Sequence, residues 1–193
     1  MSSVRETTIL DKVSSDQTAE AELVRRAQKN PDQFGRLYDR YIQRIYRFLL
    51  ARTADPAEAE DLTSQTFLTA VEKISEYSPN DHFGAWLFRI AFNKHIDLFR
   101  KKKRHEDVEL DESLSLHDGD ILKQIIHNER QSILRQKMSE LPENERELIH
   151  LRLVAQMSFA EMGAYLHLNS EAIKKKYYRL IQRLREEMDV DHG

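Results

Sequence analysis

SFAEMGAYLHLNSEAIKKKYYRLIQRLR, Ser158 to Arg185, reads as two helices with a tight connection between them. Ser158 and Glu161 stand in capping-box register, where the hydroxyl takes the N3 amide and the glutamate reaches back to the cap. The spacing predicts a short helix that ends near Leu166. His167-Leu168-Asn169 then turns the chain, and Asn169 can cap a second helix. On that helix Ile173, Tyr177, Leu180 or Ile181, Leu184 and Met188 share one face. The opposite face carries Ser170, Glu171, Lys174, Lys175 and Tyr178. A helix-turn-helix of this kind offers the exposed first turns of its second helix to the DNA major groove.

The lysines sharpen that reading. Cations near a helix amino terminus oppose the macrodipole by a few tenths of a kcal/mol each. Phosphate contact more than offsets that cost, because each neutralised phosphate releases counterions. Glu171 fits the same picture, since a carboxylate can accept from cytosine N4 in the groove. A solvated basic face with an ordinary first-turn glutamate would look similar, and the capped helix pair in front of it favours DNA.

Working outward, the chain has 193 residues, a net charge of -3, 33% charged residues, five Gly and four Pro. So few turn residues point to an all-α fold. With no cysteine, disulfides and thiolate metal sites are excluded, and no cofactor or metal is called for. The first twenty residues lack an apolar signal core and no run of about 18 apolar residues occurs, so a cytoplasmic protein without a membrane span is expected.

Residues 1–17 are Ser-rich and aperiodic and read as a flexible tail. From Glu20 a helical pattern runs through Leu23, Ala27, Phe34, Leu37, Tyr38, Tyr41, Ile45, Phe48 and Leu49. It is interrupted at Asn30-Pro31-Asp32-Gln33, where an amide cap and a proline at N1 restart a helix. Asp55-Pro56-Ala57-Glu58 repeats the signature before a helix carrying Leu62, Phe67, Leu68, Val71 and Ile74. After the turn residues Tyr77 to Asp81, a fourth helix runs from about Phe83 through Trp86, Leu87, Ile90, Ala91 and Leu98 into the basic run Arg100 to Arg104.

Residues 105–120 change character: Glu106, Asp107, Glu109, Asp111, Glu112, Asp118 and Asp120 meet no Lys or Arg. This is expected to be an acidic linker. Periodicity returns from Ile121 to Met138, and Leu141-Pro142 opens a helix expected to carry Leu148, Ile149, Leu151 and Leu153. The expected plan is therefore two small helical domains, 18–104 and 121–190, joined by that linker.

On these residues the sequence resembles a bacterial extracytoplasmic-function (ECF) sigma factor of the sigma-70 superfamily. Leu141-Pro142-Glu143-Asn144-Glu145-Arg146-Glu147, Leu151-Arg152, Ser158 to Gly163 and Ala172-Ile173-Lys174 are similar to its region 4. Ala59-Glu60-Asp61-Leu62, Thr66-Phe67-Leu68 and Trp86 to Asn93, with Asp97 and the basic run, are similar to its region 2. The chain departs from the usual pattern at Ser64-Gln65, where Gln-Glu is common, and at His167, where glycine often sits. Without glycine the turn either avoids a left-handed residue or accepts strain.

The resemblance implies a specificity subunit that binds core RNA polymerase and directs transcription initiation. Region 2 would dock on the polymerase through Asp61, Gln65, Phe67 and Leu68. It would read the melted −10 element through Asn80, Asp81, His82, Trp86, Arg89, Asn93, Lys94, Arg100 and Lys101, where rings stack and amides hydrogen-bond splayed bases. Region 4 would read the duplex −35 element through Ser170, Glu171, Lys174, Lys175 and Tyr178. Phe67, Leu68 and Trp86 also suit a buried core, and the basic run also suits a solvated helix end. The resemblance further implies a linker that enters the polymerase's basic channels, and an anti-sigma factor as a possible partner.

Three other classes compete, of which a helical adaptor that binds protein only would leave both basic faces unexplained. A stand-alone helix-turn-helix regulator would need a ligand or phosphoacceptor domain, and no alternating strand and helix pattern supplies one. A metal enzyme would rest on His117-Asp118-Gly119-Asp120, an isolated cluster without further His ligands. A sigma factor, not itself an enzyme, is the expectation carried forward.

Overall fold

The computed structural model describes residues 18–78, 82–106 and 137–190. Every regular element among them is helical. Helix α1 comprises residues 18–29. The Asn30 side chain caps Asp32 N, and Pro31–Phe34 forms a 3-10 turn that runs on into α2, Gly35–Thr53. Helix α3, Pro56–Lys73, starts where Asp55 accepts from the amides of Ala57 and Glu58, as its Asp-Pro signature predicts. A further 3-10 turn, Ile74–Glu76, precedes α4, Phe83–Glu106. The fourth helix thus outlasts its expected end at Arg104 and takes in the first two residues of the expected linker.

The amino half packs α2, α3 and α4 together, and Val24 and Ala27 of α1 are buried in the same core. Leu37, Tyr41, Ile45, Phe48 and Leu49 of α2 are wholly buried, at the three- and four-residue steps the sequence shows. Each such side chain contributes about 1.5–3 kcal/mol when taken from water. Gln28 fastens α1, donating its amide to the carbonyls of Ile74 at 3.0 Å and Tyr77 at 2.7 Å.

In the carboxyl half, residues 137–140 are helical, α5 spans Glu143–Ile149, α6 Phe159–Leu166 and α7 Ser170–Val190. Pro142 takes the position before the first helical turn. His150–Val154 widens into a π-helical turn, which departs from the straight helix expected there. The widening leaves Leu153 59% exposed while Leu151 is fully buried.

The sequence reading leaves open how the two helical halves meet. One continuous apolar core runs from Leu37, Phe48 and Phe88 of the amino half into Leu151, Met157, Met162 and Tyr177 of the carboxyl half. A smaller core of Met138, Leu141, Ile149, Leu180 and Leu184 belongs to the carboxyl half by itself. Residues 1–17 and 107–136, which hold the expected tail and most of the expected linker, lie outside the described residues.

Candidate functional site

The helix-turn-helix forms as its sequence requires. The Ser158 hydroxyl accepts from Glu161 N at 3.1 Å and the Glu161 carboxylate accepts from Ser158 N at 2.7 Å, so both arms of the capping box are closed. At the end of α6, His167 takes a left-handed conformation, φ 56°, and Leu168 N donates to Gly163 O at 3.0 Å. Of the two possibilities open at His167, the chain accepts the strain. Asn169 Oδ1 then accepts from Glu171 N at 2.9 Å and Ala172 N at 3.2 Å, which starts α7.

Helix α7 buries Ile173, Tyr177, Leu180 and Leu184, whereas Ile181 is half-buried. Met188 lies outside the described side chains. Glu171, Lys174, Lys175 and Tyr178 stand exposed on the opposite face, with Ser170 half-buried at its start. Tyr178 is 56% exposed, and its ring meets Phe159 at 5.8 Å between centroids, so its position is set while its hydroxyl end is open.

On α3, Asp61 is exposed and accepts from Gln65 Nε2 at 2.8 Å, and Leu68 is 65% exposed. Phe67 is different: at 5% exposure it packs edge-on against Phe34 and Tyr38 and belongs to the core, not to a docking surface. Its i+1 neighbour Leu68 points the other way because successive helical residues are turned by about 100°. Glu60 and Ser64 add to this face, beside an open groove of 460 Å³ that Ile42, Gln43 and Tyr46 of α2 also line.

Of the residues expected on the single-strand path, Asn80 and Asp81 lie outside the described residues. His82 is half-buried, and its carbonyl accepts from Trp86 N at 3.1 Å. Trp86 is half-buried against Tyr77 and Phe83, with centroids 5.1 and 5.4 Å away, so it is both a packing anchor and partly open. Asn93, Arg100 and Lys101 are exposed along α4 and Lys94 is half-buried. Arg89 is turned away from that track: its guanidinium donates to Ala164 O and lies 3.3 Å from His167 Nδ1, in the carboxyl half.

Arg89 belongs instead to a seam that the sequence reading missed. Arg44 donates from Nε to Ala155 O at 2.9 Å and from Nη2 to Gln156 O at 3.2 Å and Glu161 Oε1 at 3.0 Å. Arg52 Nη2 meets both carboxylate oxygens of Glu147, at 2.8 and 2.7 Å. The Arg52 guanidinium lies 3.7 Å from the Phe48 ring centroid, and Arg44 is held over Tyr41 and Phe88. The available signal was the i, i+4, i+8 row Arg44, Phe48, Arg52 inside an otherwise apolar stripe.

The electrostatics of the seam follow from its burial. Desolvation holds the Glu147 carboxyl above its ordinary range, against the pull of Arg52. Burial, then the charges of Arg52 and Arg146, lowers His150 to about 4, and burial, then Arg52 and Lys102, does the same to His95. On α1, burial also raises Glu20, although it accepts from the Tyr41 hydroxyl and lies near Arg40. No group of three or more His, Asp or Glu is placed to hold a metal among the described residues, and His117 to Asp120 lie outside them. No described helix is long and apolar enough to cross a membrane.

Comparison with known proteins completes the picture. The family model for sigma-70 region 2 matches residues 37–105, and that for sigma-70 region 4 matches residues 131–184. The ECF RNA polymerase sigma factor BldN of Streptomyces coelicolor is 34% identical over 174 residues, covering 88% of this chain and 66% of that protein. SigM of Bacillus subtilis, of the same description, is 32% identical over 149 residues, covering 77% of this chain and 91% of that protein. Among solved structures, CnrH in complex with the cytosolic domain of CnrY superposes with a TM-score of 0.57 at 24% identity, over 90% of this chain and 99% of that one. The Bartonella quintana sigma factor RpoE in complex with the anti-sigma factor NepR gives 0.55 at 24%, over 82% and 98%.

Proposed function

The chain belongs to the ECF RNA polymerase sigma factors, and on that premise we propose that it binds core RNA polymerase and directs transcription initiation by recognising −10 and −35 promoter elements. The observation that carries this reading is the capped α6–α7 pair, whose second helix holds Glu171, Lys174, Lys175 and Tyr178 exposed at the end that enters a major groove. Lys174 and Lys175 reach phosphates and fix register, while Glu171 reads a cytosine edge and Ser170 and Tyr178 flank it.

The amino half supports the complementary role. Asp61, Gln65 and Leu68 make a mixed polar and apolar patch on one exposed face of α3, suited to a partner helix on the polymerase. Trp86 offers a half-open ring for a displaced base, and Asn93, Lys94, Arg100 and Lys101 line α4 at helical spacing for the strand's phosphates. Asn80, Asp81 and His82 lie just before that helix, where an extruded base would be held.

In this reading the chain contributes specificity and the polymerase contributes the nucleotide chemistry, so the chain is not an enzyme. It acts in the cytoplasm, where polymerase and promoters are, and an anti-sigma factor is a natural partner, as NepR is for the B. quintana protein.

The decisive experiment is transcription by core polymerase plus this protein from a library randomised across both elements. One enriched pair of elements is expected, and no initiation anywhere in the library would overturn the assignment. Glu171→Ala should then relax the −35 preference. Asn80→Ala should slow promoter melting more than it weakens duplex binding, and normal melting would remove the loop before α4 from the mechanism.

A further inference from the structure

We propose that Gln28 of α1 is a positioning residue for the displaced strand: by holding the carbonyls of Ile74 and Tyr77 it sets the Tyr77 ring against Trp86, so that the half-open Trp86 ring is in place before a base reaches it. This rests on the sigma-factor reading for what Trp86 binds, and it deepens that reading with a residue of α1, which lies outside residues 37–105 that match sigma-70 region 2.

The geometry runs from amide to ring. Gln28 Nε2 donates to Ile74 O at 3.0 Å and to Tyr77 O at 2.7 Å, so both of its N–H groups are spent on backbone 46 and 49 positions away. Both partners are carbonyls, which only accept, so the amide has a single workable orientation. Ile74 O also accepts from Tyr77 N at 3.2 Å, and Tyr77 then leaves the 3-10 turn in an extended conformation. An extended residue turns its carbonyl out of the helical ladder, and the Gln28 amide receives it. The Tyr77 ring, 6% exposed, has its centroid 5.7 Å from Phe83 and 5.1 Å from Trp86. Phe83 is itself fixed by the rings of Phe34 and Tyr41 and stands 5.4 Å from Trp86. Two rings therefore brace Trp86, which is still only half-buried.

Two observations separate this role from the fastening of α1 alone. Val24 and Ala27 already bury α1 in the core, at 2% and 0% exposure. An apolar side chain at position 28 would extend that contact without ordering a long polar one, which costs rotamer freedom. The amide's bonds also fall on the turn between α3 and α4, whose course places Tyr77, and not on the ladder of either helix. A ring fixed in advance does not have to be ordered when a base stacks on it, and that saving favours binding.

The test uses the full chain, in which Trp86 is the single tryptophan. Gln28→Met keeps an unbranched side chain of similar length and removes both donors. In the free chain it should make Trp86 emission more readily quenched by acrylamide, a change that lost stability alone does not cause while circular dichroism shows the chain folded. With core polymerase added, affinity for the single-stranded −10 oligonucleotide enriched from the promoter library should fall about fivefold, with duplex −35 binding unchanged. On a Trp86→Ala background, Gln28→Met should weaken strand binding no further. Gln28→Glu, which turns carboxylate oxygens onto the two carbonyls, serves in the same assays should Gln28→Met fail to fold. Unchanged quenching, unchanged strand affinity, or equal losses with and without Trp86 would overturn the positioning role. The two readings fail separately: a wild type that initiates at no promoter in the library sinks the sigma-factor reading, whereas wild-type initiation with a silent Gln28→Met sinks only the role of Gln28.

Discussion

The molecule keeps cations in two contrasting settings. At the seam, Arg52 has a side chain 1% exposed and meets a carboxylate across the halves, with an aromatic ring under its guanidinium. On α7, Lys174 and Lys175 stand in open solvent and pair with no carboxylate among the described residues. Burying a guanidinium costs several kcal/mol of hydration, which is tolerable only when the partner is fixed. An exposed ammonium costs little and gains little until an anion arrives. On the proposed function, charge at the seam serves the conformation, whereas charge on α7 serves a ligand. Mutations at the two places should fail in different assays.

The largest effect is expected at the seam. Arg52→Leu strands Glu147, whose side chain is only 19% exposed, and should cost about 3 kcal/mol of stability, read from the denaturant midpoint. Arg52→Leu/Glu147→Leu removes both charges and should recover at least half of that loss. Equal destabilisation in the single and the double variant would show that the two side chains are not coupled, and the contrast would break.

On α7 the same deletion should be silent in stability. Lys174→Ala/Lys175→Ala should stay within about 0.5 kcal/mol of wild type on unfolding. In duplex binding the pair should flatten the salt dependence, by about 0.9 in slope for each phosphate no longer neutralised. An unchanged slope with an altered preferred sequence would move these lysines from phosphate to base contact.

The contrast also explains what the sequence made legible. Local rules reach across a few residues, so Asn30, Asp55, Ser158 and Asn169 were readable as caps and each one caps as expected. The exposed face of α7 followed from the buried one. The seam joins residues such as Arg52 and Glu147, 95 positions apart, and no periodicity within one helix signals which distant acceptor a cation will meet. Phe67 and Leu68 show the same limit on a smaller scale: both are apolar neighbours, and only packing decides that one is core and the other surface. Arg89 looked like a member of the basic track because its spacing along α4 suited it. The approach of α6, which spacing does not encode, takes it elsewhere.

Titration distinguishes the two settings by a smaller amount. His150 lies near the charges of Arg52 on α2 and Arg146 on α5, beside the Arg52–Glu147 pair, and its site lowers it from 6.5 to about 4. The unfolded chain therefore binds the proton first, and the neutral histidine's contribution, complete above pH 6.5, is lost as pH falls from 6.5 toward 4. Glu147 opposes this, because its raised range favours the folded form in acid. His150→Gln isolates the histidine, and its stability should fall less steeply than wild type across that window. Identical slopes would mean that the site leaves His150 free to protonate.

The smallest effect sits where the turn before α7 touches the seam. His167 pays for a left-handed backbone, about 1 kcal/mol, that glycine would adopt freely. Glycine also gains more freedom in the unfolded chain, which offsets part of that relief by about 0.5–1 kcal/mol. The imidazole returns something through Arg89, yet at 3.3 Å that contact is long, and Ala164 O holds the same guanidinium without it. His167→Gly should therefore change unfolding stability by less than about 0.5 kcal/mol in either direction, as followed by urea denaturation. A loss well beyond that would mean that the imidazole is a working part of the seam, so that one residue both shapes the turn before α7 and helps to hold the halves together.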